Sequence, residues 1–148
     1  MKPVTFSPIG VVESPFEDPA DVPRPGNTPV EASGSIVLEA EYEPGLVGLE
    51  EFSHVTAITH LHLVDRKRLQ VRPLGQGAPV GIFATSGPSR PNAIGQSVLA
   101  LDGIDGTRLS VSNLDLVDGT PVLDIKPYAP KGPPIEDLEI GWMGNLSE

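Results

Sequence analysis

The chain has 148 residues, no cysteine and a net charge of −10. That length leaves room for one domain with a real core, and the missing thiols exclude disulfides, thiolate metal sites and thiol nucleophiles. The 16 Gly and 17 Pro residues are too many for a helical protein and ordinary for short strands joined by tight turns, and only 5% aromatic residues make the expected core aliphatic.

Taken in chain order, Val4–Val12 reads as a first strand, ending at Ser14-Pro15-Phe16. Residues 17–34 are rich in Pro, Asp, Gly, Asn and Ser and read as a long surface loop, a candidate lid. Ser35–Tyr42 reads as a second strand, and Pro44–Phe52, with Leu46 and Leu49 after a Pro start, as one short helix. His54–Val64 gives the clearest strand: Val55, Ala57, Leu61 and Leu63 fall on one face, and His54, Thr56, Ile58, His60 and His62 on the other. Asp65–Arg68 is a charged turn. Val80–Ala84 is a short strand, and Ser97–Leu101 another. Asp102-Gly103 and Asp105-Gly106 signal turns before the strand Arg108–Leu114. After the Asp118-Gly119 turn comes the strand Val122–Ile125, stopped by Pro127. The tail from Pro130 is expected to wrap a neighbour or a barrel rim. With no repeat and no linker, residues 1–148 read as one mainly β, antiparallel domain.

No apolar run is long enough for a membrane-spanning helix, and Met1–Phe6 lacks the apolar core of a secretory signal. Both points fit a cytoplasmic protein with no membrane partner. Charge is unevenly spread. Residues 1–51 carry a net −8, residues 52–97 a net +4 and residues 98–148 a net −6. The basic middle holds Arg66, Lys67, Arg68, Arg72 and Arg90. Such a cluster is either a solvated basic turn or a local patch for an anionic ligand or RNA backbone, since local potential matters more than net charge for docking.

Two runs stand out chemically. Phe83–Ser97 sets a single cation, Arg90, in a stiff Pro/Gly frame that favours neither helix nor strand. Pro91 restricts the backbone of Arg90 and so pre-aims its guanidinium. Asn92 can donate and accept together, as a base or an amino-acid head group requires. Gly95 admits a close backbone approach. The alternative is a structural crossover with Arg90 paired to an acid. The second run is Leu123–Tyr128, where alternation puts Asp124 and Lys126 on one face, roughly 7 Å apart. They form either a buried structural ion pair or, with Tyr128, a working cluster. His60 and His62 share a strand face as a metal pair can, but His54 lies roughly 20 Å away along the strand. No third ligand is evident, so no metal is expected and a hydrogen-bonded or substrate-facing histidine is the better reading. The chain has no G-x-G-x-x-G dinucleotide fingerprint, no Walker loop and no nucleophile elbow, which sets a Rossmann domain aside.

At these runs the chain resembles the TrmO/YaeB/TsaA family of S-adenosylmethionine-dependent tRNA methyltransferases. Four stretches carry the resemblance: Ser7–Phe16 (SPIGVVESPF), Gly48–Val55 (GLEEFSHV), Phe83-Ala84-Thr85 with Arg90–Ser97 (RPNAIGQS), and Asp118–Tyr128 (DGTPVLDIKPY). The resemblance implies a β-barrel-like, non-Rossmann fold and a homodimer with the cofactor close to the subunit interface. It implies cofactor contacts from Phe83, Ala84, Thr85, Arg90, Asn92, Ile94, Gly95 and Ser97. The implied acceptor is the exocyclic nitrogen of threonylcarbamoyl-modified adenosine beside the tRNA anticodon. A general base would help such a nitrogen. Asp124 is the first candidate, with Tyr128 ordering the acceptor and Lys126 completing the catalytic set. His54, His62, Arg90 and Lys126 are the candidate substrate contacts. The chain departs from the family at Ser86-Gly87-Pro88, which stands where Arg-Ser-Pro is usual, at Ala93 in place of proline, and at Thr56-Ala57-Ile58 in place of aromatics. It ends about twenty residues after Tyr128, so the C-terminal domain of longer members is expected to be absent. Because one loop arginine is missing and the surface is acidic, a small-molecule or other non-tRNA acceptor, or a cofactor-binding module without turnover, stands as the alternative.

Overall fold

A computed structural model describes residues 1–23, 31–75 and 77–147. Six strands close into an antiparallel barrel: β1 (Gly10–Glu13), β2 (Ser33–Leu38), β3 (His54–His60), β6 (Ile94–Asp105), β7 (Arg108–Ser112) and β8 (Pro121–Pro127). Their order around the wall is β1-β2-β7-β6-β3-β8, and the short β1–β8 pairing of Gly10 with Val122 and Val11 with Pro121 closes the ring. A separate two-stranded hairpin, β4 (Gln70–Val71) with β5 (Val80–Gly81), sits in the long connection from β3 to β6. Closure removes every open sheet edge from the barrel.

Alternation explains the core. Val12, Ile36, Val55, Ala57, Leu99, Leu109, Val111 and Val122 point inward and are fully buried, with Leu114 beside them. The core is aliphatic, as the composition requires. Gly34 allows β1 and β2 to cross closely, because a Cβ there would run into the Glu13 carbonyl oxygen and the Leu114 side chain.

Several element boundaries differ from the sequence expectation, each for a physical reason. The first strand begins at Gly10, not Val4, because its partner strand β2 ends at Leu38, opposite Gly10. Val4 and Phe6 are exposed. The second strand stops at Leu38, not Tyr42, and the chain turns into a 3-10 segment, Ala40–Leu46. The short helix expected over Pro44–Phe52 is this segment followed by a second, Leu49–Glu51, split by Gly48 at φ +91°. β3 ends at His60, and Thr59 completes the inward row of Val55 and Ala57, while Leu63 is exposed. The strand expected over Val80–Ala84 covers only Val80–Gly81 before a 3-10 turn, Ile82–Ala84. Asp102-Gly103 is not a turn. β6 runs through it with a register shift between Leu101 and Gly103, and the chain reverses at Gly106-Thr107, where Gly106 has φ +61°. A bulge can use the same Asp-Gly signal as a hairpin. β7 ends at Ser112 rather than Leu114, before Asn113 at φ +63°. Pro127 does not stop β8. It pairs with Val55 as the last ladder residue, a place where a missing N–H is tolerated. The centre of the loop expected over 17–34, and with it the lid reading, lies outside the described residues.

Candidate functional site

The loop entering β6 is organised by its own arginine. Ile82 is buried and anchors the 3-10 turn Ile82–Ala84. The Arg90 Nη1 donates to the carbonyls of Thr85 (2.6 Å), Ile82 (3.1 Å) and Gly87 (3.3 Å). The Thr85 hydroxyl donates to the Ile82 carbonyl (3.0 Å) and accepts from the Gly87 N–H (3.1 Å). Three carbonyls converging on one guanidinium nitrogen hold the turn rigid with no acid involved, which corrects the crossover reading that paired Arg90 with a carboxylate. The guanidinium carbon lies 6.0 Å from the centroid of the Phe83 ring, at the outer range of a cation–π contact. Phe83 itself is 76% exposed, and Ala84 and Asn92 are exposed beside it.

The tail docks onto this turn. The Trp142 indole N–H donates to the Ala84 carbonyl at 2.7 Å. The tail, expected to wrap a neighbour or a barrel rim, is exposed over residues 131–141 and reaches the loop through Trp142, which the sequence reading did not single out. The one tryptophan in the chain was its available signal.

Strand register sorts the other candidates into two groups. β3 lies between β6 and β8, so Gly95 and Val122 flank Thr59, Gln96 and Asp124 flank Ile58, Val98 and Lys126 flank Thr56, and Ala100 faces His54. Ile94, Gly95 and Asn92 therefore sit at the His60 end of β3. His62 joins them: its Nε2 lies within 4.0 Å of where a Gly119 Cβ would be, and the Leu61 N–H donates to the Ala93 carbonyl. His54 and Tyr128 sit at the opposite end, their rings edge-to-face at 6.4 Å, roughly 20 Å along β3 from the loop. The structure does not bring Tyr128 and His54 to the loop of the same chain. Asp124 lies between the groups, two strands across from Gln96 at roughly 10 Å.

Asp124 and Lys126 point outward, and their ion pair (Nζ to Oδ2, 2.9 Å) is exposed, not buried as the structural reading had it. The other carboxylate oxygen, Oδ1, accepts from the Ile125 N–H at 2.9 Å. Each oxygen keeps a further lone pair for a third group. Ser97 points the other way. It is buried within the wall and its hydroxyl donates to Asp115 Oδ1 at 2.8 Å. Gly95 is required by packing, because a Cβ there would lie 2.6 Å from Thr59 Oγ1 and 2.9 Å from Leu61 Cδ2. Thr59 Oγ1 is the one buried side-chain polar atom among the described residues without a hydrogen-bond partner. Among the described residues no group of three or more His, Asp or Glu is placed to hold a metal ion, and no helix is long and apolar enough to cross a membrane.

Comparison with known proteins identifies the family and the fold. The family described as the tRNA-methyltransferase O N-terminal domain matches residues 11–132. A probable S-adenosyl-L-methionine-binding protein of Pyrococcus abyssi is 41% identical over 95% of this chain and 76% of its own length. A tRNA (adenine(37)-N6)-methyltransferase of Escherichia coli is 40% identical over 96% of this chain and 65% of its own length. A crystal structure of TrmO superposes with a TM-score of 0.77 at 40% identity, covering 95% of this chain and 64% of that one. The chain thus spans about two thirds of the length of the methyltransferase and of the solved structure.

Proposed function

The chain belongs to the tRNA-methyltransferase O N-terminal domain family, and from that premise we propose that it is an S-adenosylmethionine-dependent methyltransferase acting on the exocyclic nitrogen of threonylcarbamoyladenosine next to the anticodon of tRNA. The Arg90-locked turn carries this reading. It presents an exposed aromatic face at Phe83, an amide at Asn92, an apolar side chain at Ile94 that is 45% exposed, and main-chain groups from Ala84 to Gly87, all beside the first residues of β6. An aromatic face suits adenine, and amide and main-chain groups suit an amino-acid head group, so these residues fit the cofactor. Arg90 spends Nη1 on the loop, which makes its main role positioning. Ser97, committed to Asp115, supports the wall behind the loop.

Bound there, S-adenosylmethionine supplies an electrophilic methyl group on a sulfonium. The chain must hold the acceptor in line, exclude water and take up a proton from the carbamoyl-acidified N–H. Asp124 is the group we assign to accept that proton. Lys126 holds one of its oxygens and the Ile125 N–H the other, which fixes the carboxylate's direction. His62 lies on the loop side of the site and serves as an acceptor contact.

Tyr128 and His54 stand too far from the loop of their own chain, and a homodimer resolves the separation. The outward face of β6-β3-β8 carries Ile94, Val98 and Tyr128 exposed to solvent around the Asp124–Lys126 pair, a mixed surface that a second copy would cover. Cofactor bound near that interface would then meet residues of both copies.

The test is calorimetric titration of S-adenosylmethionine into wild-type, Arg90→Ala and Asp124→Asn protein, with methyl transfer to tRNA followed in parallel. We expect Arg90→Ala to weaken cofactor binding at least tenfold, and Asp124→Asn to retain it and lose turnover by about two orders of magnitude. Cofactor binding with no turnover on tRNA, by wild type as well, would move the protein to the binding-module reading that the name of the Pyrococcus relative favours.

A further inference from the structure

The connection from β3 to β6 builds a second feature that the methyl-donor loop does not use. Arg66, Arg68, Gln70 and Arg72 line a surface basin of about 750 Å³ together with Asp65 and Ser89. The lining cations and the amide fall at alternate positions, with Asp65 before them and Val71 between them also on the lining. The arm is held in place by three main-chain ties. The Arg68 N–H donates to the Ser89 carbonyl (3.0 Å), the Ile82 N–H donates to the Leu69 carbonyl (2.9 Å), and β4 pairs with β5. Arg72 Nη1 donates to the Gly77 carbonyl at 2.5 Å, which fixes that guanidinium.

Among the described residues these cations have no ion-pair partner, in a protein rich in acids. The chain has 20 acidic and 10 basic side chains. Yet the side-chain ion pairs of the described residues join Arg108 to Glu13 and Lys126 to Asp124, and none involves the basin. Asp65 is the sole acid between residues 52 and 97. A row of guanidiniums free of ion pairs along an open wall does not make the closed cup that a single small anion needs. It does match a strand of successive phosphodiesters. Ser89 borders the basin and immediately precedes Arg90, so a strand lying there runs directly up to the methyl-donor loop.

We propose that this basin seats the RNA backbone of the substrate, with Arg66 and Arg68 each neutralising a phosphate. The assignment rests on the RNA-methyltransferase reading above. It locates the electrostatic contact in a molecule whose flanking segments, residues 1–51 and 98–148, carry net charges of −8 and −6.

The experiment titrates a fluorescent anticodon stem-loop RNA against the full chain across about 50–200 mM salt. Wild type is compared with Arg66→Gln/Arg68→Gln and with Arg108→Gln/Lys131→Gln, which removes the same charge elsewhere. Calorimetry with S-adenosylmethionine verifies that each variant is folded and keeps its cofactor site. The basin variant is expected to bind RNA at least tenfold more weakly and to flatten the log K against log salt slope by about 1.4, two single-strand phosphate contacts. The control pair should leave the slope within about 0.5 of wild type. Equal changes in both variants, or none in the basin variant, overturn the basin assignment and leave the enzymatic reading standing. No RNA affinity in wild type overturns the RNA reading and the basin with it.

Discussion

The barrel wall and the arm between β3 and β6 are held together by different physics. In the wall, every strand is paired on both sides, and inward side chains form one continuous aliphatic core. In the arm, residues 61–93, order comes from a few main-chain ties, a two-residue ladder and the Arg90 guanidinium. The wall is acidic or neutral outside and carries little beyond the Asp124–Lys126 pair that looks chemical. The arm holds all five cations of the basic middle and nearly all the groups proposed for cofactor and RNA. Closed β scaffolds commonly carry their chemistry on loops in this way, because a stable wall can tolerate a marginal arm.

The arm's dependence on the wall fails if the two regions melt separately under a core mutation. Leu99 is fully buried on β6, packed in the same core as Val55 and Val122. Leu99→Ala should cost about 2–5 kcal/mol through lost burial and the cavity left behind. Arm and wall should unfold in one urea transition, with a lower midpoint and an unchanged slope. A second transition, or an arm that persists after the wall has unfolded, would show that the arm is an independent unit.

Trp142 sharpens the comparison from the other side. Its indole N–H donates to the Ala84 carbonyl at 2.7 Å, tying the tail to the Arg90-locked loop. Trp142→Phe keeps an aromatic ring and removes the donor. A single hydrogen bond is worth about 1 kcal/mol, so the expected loss is about fivefold in S-adenosylmethionine affinity. The urea midpoint of the barrel should stay where it is. A midpoint shift with unchanged affinity would make the tail part of the wall's stability instead of the loop's.

The two regions also differ in how readable they were. The wall was legible because period-two alternation and Asp-Gly turns are local signals. The strands starting at His54 and Arg108 follow directly from them, although they end at His60 and Ser112 and not at Val64 and Leu114. The misread boundaries depend on partners distant in sequence. Nothing within Val4–Ile9 says that β2 will run out opposite Gly10, and nothing local separates the Asp102-Gly103 bulge from the Asp105-Gly106 turn. In the arm, the importance of Arg90 was visible from its Pro/Gly frame. Its targets were not, because backbone carbonyls carry no sequence label. The separation of His54 and Tyr128 from the loop was hidden for the same reason: it follows from strand order and direction. The Trp142 contact spans 58 positions and lay beyond any local pattern.

The smallest effect tests whether charge in the wall is structural. Arg108 on β7 holds Glu13 on β1 through a bidentate pair at 2.6 and 3.3 Å, across the intervening β2. This hydrogen bond holds the Glu13 carboxyl below the usual carboxylate range and raises Arg108 above its usual value. A carboxyl whose value is depressed on folding binds its proton more readily in the unfolded chain. The pair's contribution is therefore complete above the ordinary Glu value of about 4.3 and fades as the pH falls through the depressed value. Both side chains are about half exposed, so water and salt screen the pair. Wild type and Arg108→Gln should differ slightly and constantly in Tm at neutral pH and converge as the pH falls below about 4. Salt at about 1 M should erase the difference at every pH. A Tm gap that survives both acid and salt would mean that the Arg108 stem, packed along the β2–β7 ladder, stabilises the wall by contact and not by charge.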